Sequence, residues 1–396
     1  MPFRLSFTRL PTKTFVSSTT SRPNWAQGLS LYGYQRLYSD SATKQPLFSY
    51  HLAAAASGKT SRLNKAEYGN NFWTQSYLQQ EPSSFSSIKS YSGEDAFFMS
   101  RVAKSNRHVV FGLADGVGGW QDQGVDPSHF SHGLCRYMAE ATYRPENETS
   151  LRPVNVLQKG YDMVQADKKI VAGGSTASLA TAQPDGQMEV ANLGDSGFVI
   201  LSPGKVSYKS EPQTHGFNTP YQLSKLTPRM QSQRAIFGGA TQISEAPSAA
   251  DTTHHTLRHG EIALFASDGV WDNLDAMEVF KVVSTIMEKE GHWAGSADSA
   301  STTTAVNGDL LRSSAQRPSD KENADKDLAG RLAFAVAKEA KVASHNDKRD
   351  GPFAKEVHKH FPGEEFNGGK VDDICVVVCI AIQDVAGGPE KIKAKL

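Results

Sequence analysis

Carboxylates recur at five places along the chain, each where an apolar run begins or ends. These residues are Glu94 with Asp95, Asp115, Asp195, Asp268, and Asp372 with Asp373. Strand ends can project side chains from a rigid sheet into one cleft. A single Asp-Gly pair is ordinarily a turn, so the hypothesis of a shared site depends on the recurrence and not on any one pair.

Four of these side chains would form a strongly charged cluster if they met. Ionised Glu94, Asp115, Asp268 and Asp372 would together carry a charge of about −4, and neighbours about 4 Å apart would repel by roughly 4 kcal/mol at an effective dielectric constant of about 20. Such a cluster has to bind protons or cations. Two divalent ions would balance the charge, and all-oxygen ligands select Mg²⁺ or Mn²⁺. Gly116 would let a backbone carbonyl approach a metal without interference from a side chain.

The elements that must position these residues are visible as apolar patterns. Short apolar runs predict strands at residues 109–114, 176–182, 188–194, 262–267 and 374–382. Helical spacing of apolar residues predicts helices at residues 128–141, 154–167, 276–290 and 328–343. Strands and helices do not alternate regularly and hairpins recur, so the sequence predicts an α+β fold with largely antiparallel sheets.

Six motifs follow one another in an order that resembles the type 2C metal-dependent protein phosphatases, from about residue 88 to residue 382. The motifs are GEDAFF at 93–98, ADGVGGW at 114–120, GGSTAS at 173–178, NLGDSG at 192–197, SDGVWDN at 267–273 and VDDICVVV at 371–378. The segments GVGGWQDQGVDPSHFS, ANLGDSGFVI and HGFNTPYQL resemble the mitochondrial branch of that family. The resemblance implies a four-layer α-β-β-α sandwich, in which two antiparallel sheets pack face to face between helices.

The resemblance also implies roles for the acidic residues. Asp115 would bridge two Mn²⁺ or Mg²⁺ ions, and together with Asp268 and Asp372 it would form the catalytic set. Asp268 and Asp372 would complete the coordination of one ion. Glu94 and the carbonyl of Gly116 would complete the other.

Further acidic residues have implied roles of lesser weight. Asp195 and Asp268 resemble residues that hold a third, weaker metal in some relatives. The remaining three would orient ligands or waters, namely Asp95, Asp272 and Asp373.

The implied activity is hydrolysis of phosphoserine and phosphothreonine in proteins, by a metal-bridged water or hydroxide that attacks phosphorus in line. The implied substrates are phosphoproteins of the mitochondrial matrix, and the chain is expected to act as a monomer. One alternative is a catalytically silent relative that binds phosphoproteins as a regulator. Another is a metal hydrolase that acts on small phosphoesters.

Two departures from the family pattern support the silent alternative. Val117 stands where many relatives have a histidine that can protonate the leaving alcohol, and Ser90 stands where many have a phosphate-binding arginine, with Lys89 beside it. His129 or His132 could supply the acid, although both could equally face solvent. Neither departure removes an expected metal ligand.

Composition limits the classes of partner and compartment. Lysine plus arginine and aspartate plus glutamate each total 42, so no global basic charge favours nucleic acid. The sequence contains no run of about 18 apolar residues, so no transmembrane segment is predicted. Three cysteines match no zinc or redox spacing and are predicted to be buried structural residues: Cys135, Cys375 and Cys379.

The predicted domain organisation starts from the uneven charge. The first 38 residues are rich in arginine and hydroxyl side chains and contain no acidic residue, which is typical of a mitochondrial transit peptide. Residues 39–74 are predicted to be a flexible segment, 75–385 a phosphatase domain, and 386–396 a tail. Within the domain, residues 294–326 are rich in Ser, Thr, Ala and Asp and are predicted to be a disordered insertion.

Overall fold

A computed structural model describes residues 47–60, 92–102, 105–143, 145, 151–237, 244–294, 305–315 and 327–384, all within one compact unit. The predicted transit peptide and the predicted C-terminal tail lie outside these residues. Among the described residues, none of the helices combines the length and the apolar content needed to cross a membrane.

Two five-stranded antiparallel sheets form the centre of the fold. Sheet one has the strand order β1 (Phe48–Ser57), β16 (Ile374–Gln383), β13 (Ile262–Ala266), β7 (Gly197–Ser202) and β8 (Lys205–Lys209). Sheet two has the order β12 (Asp251–Thr256), β6 (Gln187–Leu193), β5 (Ala177–Ala182), β3 (Val109–Ala114) and β2 (Ala96–Arg101). The five strands predicted from sequence are all present.

Short two-stranded pairs decorate the sheets. They comprise β4 (Gly173–Ser175) with β11 (Leu223–Lys225), β9 (Thr214–Gly216) with β10 (Thr219–Pro220), and β14 (Trp293–Ala294) with β15 (Ala305–Val306). The hairpin of β9 and β10 turns through Asn218, whose φ of 49° is in the left-handed region that asparagine tolerates.

Helices lie outside the two sheets. They are α1 (Ser128–Tyr143), α2 (Pro153–Ala166), α3 (Pro228–Phe237), α4 (Asp268–Trp271), α5 (Ala276–Lys289), α6 (Gly308–Ala315), α7 (Leu328–Ser344) and α8 (Pro352–His360), with 3₁₀ turns at Gly118–Gln123 and Pro247–Ala249. The four helices predicted from sequence correspond to α1, α2, α5 and α7. Helix α5 begins with a capping box in which Asp275 accepts from the backbone N–H of Glu278, whose side chain accepts from Asp275 N–H.

Three apolar clusters define four layers, α-β-β-α. One lies between the sheets, where Phe265 stacks on Phe198 at 4.9 Å and meets the edge of Phe111 at 5.2 Å. The second lies between sheet one and helices α5 and α7, and the third between sheet two and helices α1 and α2. The predicted sandwich is therefore confirmed. The three cysteines are buried and unpaired, as the sequence predicted.

The N-terminal boundary of the domain was predicted wrongly. Residues 48–57, which lie in the segment expected to be flexible, form β1 and pair with the whole of β16. Leu52, Ala54 and Ala56 face the second sheet, whereas Ala53 and Ala55 belong to the cluster under α7. Small side chains fit a strand that is covered on both faces, so an alanine run with modest strand propensity is stable there.

The insertion was also predicted only in part. Residues 305–315, expected to be disordered, contain β15 and α6, and Leu311 is buried in the cluster with α5 and α7. This one apolar anchor and the pairing of Val306 with Trp293 hold the segment in place. The flanking residues 295–304 and 316–326 lie outside the described part of the chain.

Candidate metal centre

Antiparallel pairing brings the acidic residues to one edge of the sandwich. Asp268 follows β13 and Asp372 precedes β16, and these neighbouring strands pair Ala266 with Val376. In sheet two, β2 begins two residues after Glu94 and β3 ends just before Asp115, and these strands pair at Ala96 and Ala114. Asp195 lies in the connection between β6 of sheet two and β7 of sheet one. Strand ends from both sheets therefore face the same region.

Lys370 joins three of the carboxylates. Its Nζ lies 2.6 Å from Oδ2 of Asp268, 2.6 Å from Oδ2 of Asp272 and 3.2 Å from Oδ2 of Asp372. These side chains are 16–25% exposed, so the charges are only partly screened by water. Burial alone would lower the pKa of Lys370, but the three carboxylates raise it well above its ordinary value, and the lysine is a cation at any physiological pH.

The side chains of Asp115 and Asp268 interact closely enough that each shifts the pKa of the other. Burial and repulsion from Asp268, Asp95 and Asp372 raise the pKa of Asp115 well above its ordinary value. Burial also acts to raise the pKa of Asp268, but the Lys370 ammonium, with smaller effects from Asp115 and Asp272, outweighs it and holds this pKa below the usual range. Of the two, Asp115 is therefore the carboxyl that holds its proton more strongly.

Three more aspartates around this pair have raised pKa values. Burial, followed by repulsion from Asp268, raises the pKa of Asp372 to about 6, of Asp195 to about 7 and of Asp272 to about 8, although Lys370 opposes each shift. Negative charge is thus in excess over the single ammonium. The cluster takes up protons when no other cation is supplied.

Glu94 occupies the other side of the cluster. Its Oε2 accepts from Lys59 Nζ at 3.0 Å, and its Oε1 accepts from the amide of Gln121. Asp373 fixes the backbone around it, accepting from Glu94 N–H at 2.8 Å and from Lys59 N–H at 2.5 Å. Gly93 has a φ of 68°, and a Cβ there would lie about 2.4 Å from the Asp373 carboxylate, so this turn requires glycine.

Gly116 links the two carboxylates of sheet two. Its N–H donates to the Glu94 carbonyl at 3.2 Å, and a Cβ at this position would lie 2.8 Å from that same oxygen. Asp115 N–H donates to Thr176 Oγ1 at 3.2 Å, which orients the start of this turn. The close approach of the two backbones is the observed reason for glycine here.

Asp95 is buried, 1% exposed, behind the cluster. Its Oδ2 accepts from Ser267 Oγ at 2.7 Å, whereas its Oδ1 has no hydrogen-bond partner within the described part of the chain. Burial and then repulsion from Asp373 raise the pKa of Asp95 well above its ordinary value. A cation bound near Asp95 would favour its ionised form and lower this pKa.

The donor set fits a hard divalent cation. The facing side chains offer carboxylate oxygens, and burial followed by mutual repulsion raises the pKa values of Asp95 and Asp115. Asp95 Oδ1 is buried without a hydrogen-bond partner in the described part of the chain. In the described residues, however, no three His, Cys, Asp or Glu side chains converge in metal-ligand geometry. Lysines instead contact the carboxylates on both sides, so metal binding would require Lys59 and Lys370 to yield part of their contacts.

The predicted site residues thus fall into two contact groups. Glu94 and Asp373 both contact Lys59. Asp268, Asp272 and Asp372 contact Lys370, and Asp115 interacts electrostatically with Asp268. Asp195 interacts with this group only through charge.

Sequence reasoning missed Lys59, Lys370 and Gln121. A lone lysine or glutamine carries no motif. The only signal was the position of Lys370 two residues before Asp372.

Neither candidate acid is directed at the cluster. His132 Nε2 lies 3.1 Å from the Gly93 carbonyl, and His129 Nε2 lies 3.7 Å from Asp126 on the exposed side of α1. Val117 has no side-chain proton to give, and its backbone N–H donates to the Gly174 carbonyl at 3.1 Å. Ser90 and Lys89 lie outside the described residues.

A cleft of about 720 Å³ opens next to the carboxylates. Asp195, Asp268 and Asp272 form its inner wall, and its outer walls are the β9–β10 hairpin and α8. Phe217 of the hairpin contacts Phe353 of α8, with ring centres 5.5 Å apart. The cleft is large enough for a phosphorylated side chain and its neighbouring residues.

Comparison with known proteins gives relatives over most of the chain. The mitochondrial protein phosphatase 2C homolog 7 of Saccharomyces cerevisiae is 34% identical over 299 residues, which cover 74% of this chain and 75% of the relative. The protein phosphatase PTC7 homolog of Homo sapiens is 29% identical over 296 residues, covering 74% and 80%. No family model matches the chain.

A solved structure supports the same assignment at the level of fold. The photosystem II phosphatase PBCP superposes with a TM-score of 0.55 and 22% identity, covering 84% of this chain and 98% of that one. The chain therefore belongs to the type 2C metal-dependent protein serine/threonine phosphatases, in the branch of the mitochondrial yeast relative.

Proposed function

We propose that this phosphatase hydrolyses phosphoserine and phosphothreonine in mitochondrial matrix proteins, acting as a monomer with two Mn²⁺ or Mg²⁺ ions at the carboxylate cluster. The observation that carries the proposal is the ion pairing of Lys370 with both Asp268 and Asp372, next to Asp115, whose pKa is raised by burial and by repulsion from these aspartates. The names of its relatives support the activity.

The residues divide between the two ions as the family pattern implies. Asp115 would contact both, Asp268 and Asp372 one, and Glu94 with the Gly116 carbonyl the other. When bound, the ions supply an activated water and offset charge on the phosphoryl oxygens. A third ion at Asp195 and Asp268 belongs to the same family pattern and is taken up below.

The chain's own residues hold the site rigid. Asp373 accepts two backbone N–H groups beside Glu94, and Ser267 Oγ donates to Asp95 while accepting from Cys375 N–H at 3.0 Å. These bonds would keep the carboxylates in place as the substrate exchanges, which is how partners behind a metal site tune it. The aromatic walls of the cleft would exclude water around the bound side chain.

The decisive experiment measures phosphate release from phosphoserine and phosphothreonine peptides by the full chain, with Mn²⁺ or Mg²⁺ and with a chelator. We expect chelator-sensitive turnover that Asp115→Asn removes by more than about a hundredfold, because losing a ligand exceeds the 10–100-fold loss typical of outer partners. Asp122→Asn is the matched control, since Asp122 is exposed on the neighbouring 3₁₀ turn.

Absence of chelator-sensitive turnover with either metal would refute the enzyme proposal. Phosphopeptide binding without turnover in calorimetry would favour the silent regulator instead. A wide preference for small phosphoesters over phosphoproteins would point to the third alternative.

The proposed mitochondrial localisation depends on the predicted transit peptide in the first 38 residues. Arginines and hydroxyl residues without acids are the composition that import receptors accept, and the yeast relative is named as mitochondrial. Import of the full chain into isolated mitochondria, followed by N-terminal sequencing of the processed product, tests this. We expect a new N-terminus near Tyr38, and an unprocessed chain left outside the organelle would contradict the proposal.

A further inference from the structure

Lys370 is held in the carboxylate cluster by more than its charge. Its backbone N–H donates to Asn273 Oδ1 at 3.0 Å, and its carbonyl accepts from Asn273 Nδ2 at 2.8 Å. Asn273 is fully buried, and its Nδ2 also donates to the carbonyl of Gly269, the residue after Asp268. One buried amide therefore fixes the backbone of the lysine relative to the carboxylate it contacts.

The two glycines before Lys370 determine how the backbone approaches the carboxylate cluster. Gly368 has a φ of 110°, and a Cβ at Gly369 would lie 2.2 Å from the Ala343 carbonyl on α7. No other residue type fits this approach without displacing α7. The segment thus delivers the Lys370 side chain to one place.

The side chain also reaches the walls of the cleft. Lys370 Nζ lies 3.3 Å from Asn218 Oδ1 at the tip of the β9–β10 hairpin, and 5.3 Å from the centre of the Phe353 ring on α8. Four oxygen atoms and one aromatic face thus surround the ammonium. Such a set of contacts resembles the shell of a bound cation more than a surface ion pair.

We propose that Lys370 is a built-in cation that takes the place of a third divalent ion, so that the cluster binds two metal ions and not three. The inference rests on the proposed function, because it concerns how many ions the same site takes. Asp272 Oδ2 lies 2.6 Å from the ammonium, which therefore occupies the position from which a third ion would contact this side chain.

Repulsion supplies the physical reason. A dication placed between Asp195, Asp268 and Asp272 would lie within a few ångströms of the ammonium, and like charges at that distance disfavour each other strongly in a partly desolvated site. The hydrogen bonds to Asn273 hold the Lys370 backbone beside Asp268, so the ammonium stays within reach of Asp272 even when it yields its contacts with Asp268 and Asp372 to the two ions. Lys370 is thus a positioning residue that sets the number of ions.

The test counts Mn²⁺ bound per full chain by equilibrium dialysis with elemental analysis, and measures the affinities by calorimetry. We compare the natural chain with Lys370→Met, which keeps the stem without the charge. Lys355→Met is the matched control, because Lys355 lines the same cleft on α8 and makes no contact with the carboxylates among the described residues. Circular dichroism checks that each variant folds.

The expected result is two ions for the natural chain and for Lys355→Met, and three for Lys370→Met. The affinity for the additional ion should rise at least about tenfold over that of the natural chain. Two ions with unchanged affinities in folded Lys370→Met would overturn the inference, as would three in the natural chain. If Lys370→Met does not fold, the count for the natural chain still decides. A natural chain that binds no Mn²⁺ would instead remove the proposed function itself.

Discussion

Strand β16 has a carboxylate beyond each of its ends, and the two have different electrostatic surroundings. Asp384 receives one cation of its own, with Arg107 Nη2 at 2.8 Å and Nε at 3.0 Å from its Oδ2. Asp372 shares a single ammonium with Asp268 and Asp272. Asp384 and Asp372 are the same residue type, but only Asp372 has fewer cationic partners than neighbouring carboxylates. This local shortage of positive charge distinguishes a candidate metal ligand from a structural carboxylate.

The largest expected effect is a difference in phosphatase activity between variants at the two ends of β16. Asp372→Asn should lower kcat/KM on a phosphothreonine peptide by more than about a hundredfold, since it removes a metal ligand, whereas Asp384→Asn should change it by less than about twofold. Steady-state kinetics at saturating Mn²⁺ measures both. Similar losses in the two variants would break the comparison.

Metal binding should stabilise the fold only through the end of β16 that lies next to Asp372. At a free Mn²⁺ concentration a hundred times its Kd, each site adds about 2.7 kcal/mol to the free energy of unfolding. Urea denaturation with and without Mn²⁺ measures the gain, which Asp372→Asn should largely remove and Asp384→Asn should retain. The comparison is wrong if Asp384→Asn removes it too.

The pH dependence of the metal-stripped chain sharpens the comparison further. The pKa values of Asp372, Asp195 and Asp272 are raised to about 6, 7 and 8, from 3.8, so the folded state holds more protons than the unfolded state between these limits. Stability from these groups is complete below pH 3.8 and is lost as pH rises through 6 to 8. Each extra proton corresponds to a decrease of about 1.4 kcal/mol per pH unit.

Urea denaturation of the stripped chain at intervals from pH 5 to pH 8 measures this decrease. Asp272→Asn should flatten it, because it removes the group with the highest of the three pKa values, and Asp384→Asn should leave it unchanged. A free energy of unfolding that rises over this range would contradict the excess of negative charge.

The smallest expected effect is that of Asp384→Asn on stability. Its ion pair with Arg107 is 31% and 26% exposed, and such pairs contribute about 0–1 kcal/mol. The shift in the urea midpoint should therefore correspond to less than about 1 kcal/mol. A loss of several kcal/mol would mean that this end also depends strongly on its charges.

The sequence predicted the sandwich and the acidic edge because each strand carried a strong apolar run and ended at a carboxylate. Asp115 after 109–114 and Asp268 after 262–267 gave both the end of a strand and the candidate ligand at once. In an antiparallel sheet, the end of one strand lies beside the start of its neighbour. The carboxylates at these strand ends were therefore enough to predict a common cleft.

The elements that the sequence did not predict owe their structure to tertiary packing. The alanine run of β1 forms a strand because β16 offers a partner and α7 leaves room only for small side chains. Lys59 and Lys370 acquire their importance from neighbours that are distant along the chain, so their positions could not be inferred from local pattern. Leu311 likewise orders its segment only through contact with α5 and α7.

The pairing of β1 with β16 has a consequence for how the molecule is made. Phe48 pairs with Gln383 and Ser57 with Ile374, so the earliest described strand has its only sheet neighbour among the latest described residues. During synthesis β1 stays without this partner until residues 374–383 have emerged. Contacts between such distant residues slow folding, because the entropy of closing a long loop opposes them.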